Sequence, residues 1–319
     1  MEAHLLEIVA PETAGNPTNQ RKWVRSSLRK LSKRLGRAGH AVSATTVARL
    51  LRKHDYSLHV NVKEKESGSQ PADRDRQFQY IESQKQAFAS RGCQRISVDT
   101  KKKELIGDFK NAGQAWGQRP EEVNVHDFLK DAQGRAVPYG IYDLQHNQGA
   151  VYVGASADTP EFAVTAIASW WKQIGRATYP HATQLLILAD AGGSNGCRLR
   201  LWKEQLQTQL SDKLGLSVTV CHYPTGCSKW NPIEHRLFSQ ISINWAGKPL
   251  RTFETLLGYV RGTTTSSGLR VTASRLKGIY QTGKRITNAV FKGLNVETHS
   301  VCPRWNYTIH PRLNSARAT

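Results

Sequence analysis

The chain has 319 residues, with 45 Lys and Arg against 25 Asp and Glu, a formal charge of +20. That length supports a sizeable core in roughly one to three domains. The basic excess is spread along the chain and favours a polyanionic partner, DNA or RNA, bound through counterion release. No apolar run reaches the ~18–20 residues of a membrane span, and Met1-Glu2-Ala3-His4 lacks a signal peptide's basic start. The cysteines at 93, 197, 221, 227 and 302 are scattered. They form no disulfide framework, so the expected setting is a reducing cytoplasm. Cys221, His222, Cys227 and His235 lie close together without the paired Cys-x2–4-Cys elements of structural zinc.

In chain order, residues 1–20 hold Pro11, Gly15 and Pro17 and read as an irregular lead-in. From Trp23 a helical stripe of Trp23, Val24, Leu28, Leu31 and Leu35 is edged by Arg and Lys. Gly36 and Gly39 end it, Ser43 is an N-cap, and 46–54 predicts a second helix burying Val47, Leu50 and Leu51. Helix, short glycine-containing turn, helix is the layout of a helix-turn-helix. Its second helix offers Thr45, Thr46, Arg49, Arg52 and Lys53 to phosphates or base edges. Residues 56–62 alternate as a strand. Residues 63–76 lack an apolar face and read as a linker, and 78–88 as a lead-in helix.

The following strands are predicted at 96–98, 105–109, 137–144 and 151–153, with 111–135 as a long loop. Thr159-Pro160-Glu161 is a strong helix start, and the helix reaches about 174 with Trp170 and Trp171 in the core. Residues 185–189 form a fully apolar strand, 198–214 a helix, 218–221 a strand and 233–241 a helix. From 251 the chain is basic and rich in Thr, Gly and Ser. Strands followed by alternating strands and helices specify an α/β layer fold.

Asp99 ends the first apolar strand of this region, Asp190 ends the 185–189 strand, and Glu234 opens a helix. Carboxylates at strand ends are costly to bury without a partner or metal. In α/β sheets, ligands gather outside the strands' C-terminal ends. Three such acids suit two divalent cations for phosphoryl transfer, and hard oxygen donors select Mg2+, with Mn2+ as a substitute. Gly192-Gly193-Ser194-Asn195-Gly196 directly follows Asp190 and lets a phosphate approach the backbone, or is simply a turn. Lys229, Asn231 and His235 flank Glu234 as candidate DNA contacts, joined by Lys101 and Asn195 beside the two aspartates. Asp108, Asp127 and Asp143 compete for the same role, Asp143 most seriously because it also ends a strand.

The blocks Ile96-Ser97-Val98-Asp99-Thr100-Lys101-Lys102-Lys103-Glu104, Asp190 to Gly196 and Ser228 to Phe238 resemble the ISAzo13 family of bacterial insertion-sequence transposases. The similarity runs from about Trp23 to Ile309. It implies a ribonuclease H-like catalytic core, a mixed sheet flanked by helices, behind a small helix-turn-helix domain. Asp99, Asp190 and Glu234 match the family's DDE triad. The expected division is a DNA-binding region at 1–62, a linker and lead-in helix at 63–90, the catalytic domain at 91–262 and a basic extension at 263–319. The implied activity is strand cleavage and strand transfer at element ends. The implied partners are double-stranded DNA (element inverted repeats and target) and further copies of the chain on that DNA, with no membrane. The expected location is the bacterial nucleoid. Pro232 departs from the lysine of many relatives, and those relatives carry more upstream sequence. That late start keeps open a truncated DNA-binding repressor, and the fold keeps open a structure-selective nuclease.

Overall fold

The computed structural model describes residues 1–10, 13–15, 22–24, 26–56, 71–114, 122–124 and 129–312. The chain divides into two compact units, Met1–Lys65 and Glu66–Thr319.

The first unit opens with helix α1 (Glu2–Val9), where an irregular lead-in was expected. Leu5 and Val9 recur at helical spacing and are fully buried, so tertiary burial outweighs the later prolines and glycine. A short hairpin, β1 (Thr13–Gly15) with β2 (Lys22–Val24), follows. Trp23 and Val24 thus sit in a strand, and the predicted first helix begins only at α2 (Leu28–Arg37). The reason is local: Ser27 has extended backbone and its side chain accepts from the Lys30 N–H, which sets the start. Helix α3 (Ala44–Lys53) is capped in the same way by Ser43. Leu5, Val9, Leu31, Leu35, Val47, Leu50 and Leu51 make one core of these three helices. Each fully buried aliphatic side chain there contributes about 1.5–3 kcal/mol relative to exposure. The strand expected at 56–62 lies, beyond Tyr56, outside the described residues, as does most of the expected linker.

The second unit begins with α4 (Pro71–Ser90). Then come β3 (Gln94–Thr100), β4 (Glu104–Ile106), β5 (Gly134–Asp143) and β6 (Gln148–Gly154). Helix α5 (Pro160–Trp170), capped by Thr159, runs through a π-helical turn (Trp171–Gly175) into α6 (Arg176–Thr178). Strand β7 (Gln184–Asp190), helix α7 (Arg200–Gln205) with a π-helical continuation (Leu206–Asp212), and β8 (Ser217–Tyr223) follow. A further π-helical turn (Glu234–Phe238) leads into α8 (Ser239–Asn244) and α9 (Phe253–Arg261). The last elements are β9 (Arg270–Arg275), α10 (Asn288–Lys292), β10 (Val296–Thr298) and β11 (Asn306–Ile309).

The main sheet runs β10-β11-β8-β7-β3-β5-β6-β9, with β4 paired to β5. Strands β3, β5 and β6 are antiparallel neighbours, and β7 and β8 extend from β3 in parallel. This central order, third-second-first-fourth-fifth, is the ribonuclease H-like arrangement. Segment 263–319, expected to be an appended extension, places β9 parallel to β6 and β11 against β8. Both outer strands of the central five are therefore covered by chain that read only as basic and polar.

Alternation along the strands separates two faces. Ile96, Val98, Ile187 and Val220 pack with Phe162, Ile167, Trp170, Trp171, Trp202 and Leu206 on one face. The two tryptophans, at 2% and 3% exposure, are core residues, as the sequence suggested. The other face divides between Tyr142, Val151 and Val153 under Ile233, Leu237 and Phe238, and Leu186 and Leu188 under Ile81 and Phe88 of α4. Ser97 and Asp99 alternate with Ile96 and Val98, and Asp190 with Ala189, so all three belong to this second face. Gly140 pairs with Asp99 across the sheet. A Cβ there would sit 2.4 Å from Phe238 and 2.9 Å from Ile233, so its lack of a side chain lets the Glu234 turn lie flat on the sheet.

Candidate active site

Strands β3 and β7 are parallel neighbours with Val98 beside Ala189. One residue further on, Asp99 and Asp190 emerge in step at the same edge of the sheet. Glu234 is the first residue of its π-helical turn, three positions after Asn231, whose carbonyl accepts its N–H.

The acids are held rather than exposed. Asp99 Oδ1 accepts from the Thr100 N–H at 2.8 Å and from Asn195 Nδ2 at 3.4 Å. Asp190 Oδ1 accepts from Asn231 Nδ2 at 3.1 Å. Burial raises the Asp99 carboxyl to about 8, helped by the charges of Asp190, Glu234 and Asp158. Burial also raises Asp190, to about 6, with Glu234 adding to the effect, and it raises Glu234 against the opposing charges of Lys101 and His235. Among the described residues no Lys or Arg side chain bonds either aspartate. Both aspartates are desolvated, and the neighbouring carboxylate charges add to the cost of ionising them.

The predicted residues sort into distinct roles. Asn231 was expected to face DNA but is fully buried. Its Oδ1 accepts from Ser97 Oγ, and its Nδ2 reaches the Val98 carbonyl as well as Asp190. Asn195, expected at the DNA, is likewise buried, with its Oδ1 accepting from Tyr139 Oη at 2.7 Å. Lys101 is 9% exposed, donates to Glu104 at 3.3 Å and lies over the Trp245 ring at 4.7 Å. These three side chains are engaged inside the protein, because the turns after β3, β7 and β8 that carry them fold back against the sheet. Lys229 and His235 are exposed, the His235 ring bonding the Lys229 carbonyl. In the first unit Thr45, Arg49 and Arg52 are exposed. Thr46 contributes to the Ser43 cap, and Lys53 pairs with Glu2 at 3.0 Å.

The rival acids fall elsewhere. Asp143 pairs with Ile96, toward the opposite end of β3 from Asp99, and accepts from Tyr179 Oη at 2.7 Å. Asp108 pairs with Arg251 at 3.0 Å, and Asp127 lies outside the described residues. Sequence reading missed Ser97, Tyr139 and Asp158. Asp158 accepts from Thr100 Oγ1 at 3.0 Å and adds a further charge to the cluster. Period-2 alternation with Asp99 was the available signal for Ser97. Asp158, just ahead of the Thr159 cap, had none.

The donor set fits divalent magnesium or manganese. The clustered donors are hard carboxylate oxygens without thiolate or imidazole among them, and a dication would relieve the repulsion that raises both aspartates. Among the described residues no three acidic, His or Cys side chains form a closed metal cage. Glu234 stands at electrostatic reach of the pair rather than inside it. Both aspartate pKa values are raised on folding, so the native state keeps protons that the unfolded chain has lost. Without metal, their contribution to stability is full below about pH 4 and is lost as pH rises through about 6 to 8. Saturating Mg2+ is therefore expected to raise Tm several degrees more at pH 8 than at pH 5, read by differential scanning fluorimetry. Equal shifts at both pH values would contradict metal binding at this pair.

Two desolvated carboxylates at the ends of adjacent parallel strands make a site suited to divalent-metal phosphoryl transfer. The Rhodopirellula transposase DDE domain family matches residues 4–311, and the chain belongs to it. It is thus a DDE transposase. No curated protein matches the chain. Solved structures similar to it include a Mos1 transposase paired-end complex with left transposon end, at 12% identity and TM-score 0.43, covering 82% of this chain and 69% of that one. A Mos1 mariner paired-end complex with Mn is 12% identical with TM-score 0.42, covering 82% and 70%. The corresponding complex with Mg is 11% identical with TM-score 0.40, covering 82% and 69%. Among the described residues no helix is long and apolar enough to cross a membrane.

Proposed function

We propose that this transposase cuts the ends of its own insertion element and joins them to target DNA, with Asp99, Asp190 and Glu234 as the catalytic acids. The supporting observation is the alignment of Asp99 and Asp190 on adjacent parallel strands, desolvated and with no cation bonded to either among the described residues. The three carboxylates would hold two Mg2+ ions, with Mn2+ as the alternative. When bound, these ions supply an activated water or 3′-hydroxyl nucleophile and stabilise the departing oxygen. The chain's own residues set the geometry. Asn231 ties Asp190 to β3 through Ser97 and the Val98 carbonyl, and Asn195 and the Thr100 N–H fix one oxygen of Asp99. Lys101 supplies positive charge toward Glu234.

Region 1–62, within the first unit, would act as a helix-turn-helix, with α3 presenting Arg49 and Arg52 to double-stranded DNA and the chain assembling as an oligomer on paired ends. Replacing Arg49 and Arg52 with Ala is expected to weaken DNA binding and to lower the slope of log Kd against log salt by about 1 per side chain. Fluorescence anisotropy at several salt concentrations reads this, and an unchanged slope would remove α3 from the interface.

The test of the whole reading uses the inverted repeats that this reading expects on either side of the gene. The purified chain should nick a labelled repeat-end duplex in Mg2+, leave a 3′-hydroxyl at the element end and join it to a second duplex. Cleavage of RNA–DNA hybrids with no preference for the repeat would replace this reading with a general nuclease.

A further inference from the structure

The described residues include few large apolar side chains left in solvent, and Trp230 is the aromatic among them, at 59% exposure. Its position is not incidental. It follows Lys229 and immediately precedes Asn231, the side chain that holds Asp190, and Glu234 is four residues further on. The backbone beneath it is fixed by the Trp230 N–H to the Cys227 carbonyl at 2.9 Å, in a short turn (Ser228–Trp230). Phe78 of α4 meets the indole edge-on, with ring centroids 6.0 Å apart. The ring is therefore pre-oriented although much of it is bare. It borders a cleft of about 540 Å3 lined by Arg74, Asp75, Phe78 and Trp230, a volume within the usual range of small-ligand sites. The Lys229 ammonium lies 5.6 Å from the ring centroid, and Arg74 lines the cleft while donating to Cys227 Sγ.

An exposed, rigidly backed indole costs free energy in a protein that needs it only for packing. A nucleobase is the ligand that fits it. A base offers a flat π-face to stack on Trp, and its attached phosphates match Lys229. Unstacking a base from a duplex costs a few kcal/mol, which stacking on an aromatic ring offsets. We propose that Trp230 is a stacking platform for a nucleobase lifted out of the DNA strand beside the cleaved position. This rests on the transposase reading and adds to it a way of holding the strand open at the carboxylates.

Two measurements decide it. In the first, repeat-end duplexes carrying 5-iodouracil at one position each around the cleavage site are irradiated with the full chain in EDTA, and crosslinked peptides are mapped by mass spectrometry. One or two adjacent positions should crosslink to Trp230, less strongly in Trp230→Phe and not in Trp230→Ala. Crosslinks confined to other residues, or a yield unaltered in Trp230→Ala, would overturn the proposal. In the second, Trp230→Ala should cleave a fully paired end about tenfold more slowly than the parent chain. A mismatch at the crosslinking position should restore most of that loss, because the base is already unpaired. Equal slowing on paired and mismatched ends would indicate a merely structural role and count against the platform. The crosslink needs no cleavage, so a chain that fails to nick in Mg2+ counts against the transposase reading while the platform is still decided.

Discussion

Asp190→Asn is expected to lose metal-dependent nicking by about a thousandfold or more while melting a few degrees above the parent chain at pH 8. The two effects share one cause. Asp190 sits beside Asp99 with both carboxyls raised by burial, Asp99 also by the charge of Asp190 and Asp190 also by that of Glu234. The amide keeps an oxygen to accept from Asn231 but carries no charge, so the repulsion disappears and the metal-free protein gains stability. That same charge is what a pair of divalent ions requires, and losing their several kcal/mol of charge stabilisation costs about three decades in rate. Asp99→Asn should behave alike. Nicking assays in Mg2+ and thermal melts at pH 5 and pH 8 read the two halves separately. Nicking that survives Asp190→Asn unchanged would remove these carboxylates from the chemistry, and an unaltered melt would mean that they do not repel.

Asn231→Ala is the second large effect, and it separates two roles for one side chain. If Asn231 contacted DNA, its loss would weaken binding. Buried as it is, its loss frees Asp190 and strips a partner from Ser97 and the Val98 carbonyl. The expected outcome is a fall in kcat of about a hundredfold, the scale of a 1 Å misplacement. Stability should also drop by about 1–3 kcal/mol for the buried polar groups left unpaired. The Kd for a repeat-end duplex should stay within about twofold. A large rise in Kd with kcat intact would return Asn231 to the DNA interface.

The difference between what could and could not be read from sequence follows from the range of the forces involved. The strand end at Asp190 was legible because a buried parallel strand is a continuous apolar run that stops at a carboxylate, and that at Asp99 because Ile96 and Val98 alternate with polar residues up to it. The starts of α3 and α5 were legible because Ser43 and Thr159 cap within three residues. Asn195 and Asn231 carried no such signal. Their burial depends on which strand ends meet in space, and a polar residue in a loop reads as solvated until that is known. Strand β9 alternates buried Val271 and Ala273 with exposed Arg270 and Thr272, and β11 is only four residues long. Both depend on strands distant in sequence for their pairing, so neither stood out from a basic, polar stretch. Helix α1 is held by Leu5 and Val9 against α2 and α3, a tertiary effect that nearby prolines concealed.

Strand β11 also bears on how the enzyme comes into being. It lies between β8 and β10, and its neighbour contacts reach deep into the core. Tyr307 bonds both Trp202 and His222, whose ring contacts the Asp190 carbonyl, and Asn306 exchanges hydrogen bonds with Gln77 near the start of α4. The strand that carries Asp190 is thus braced by residues 306 and 307, far beyond it in sequence. The sheet behind the carboxylates closes only after that distant segment has been made, whereas the three-helix core of the first unit closes from contacts near in sequence. A chain interrupted before residue 306 is expected to keep that helical core and to lose the brace behind Asp190.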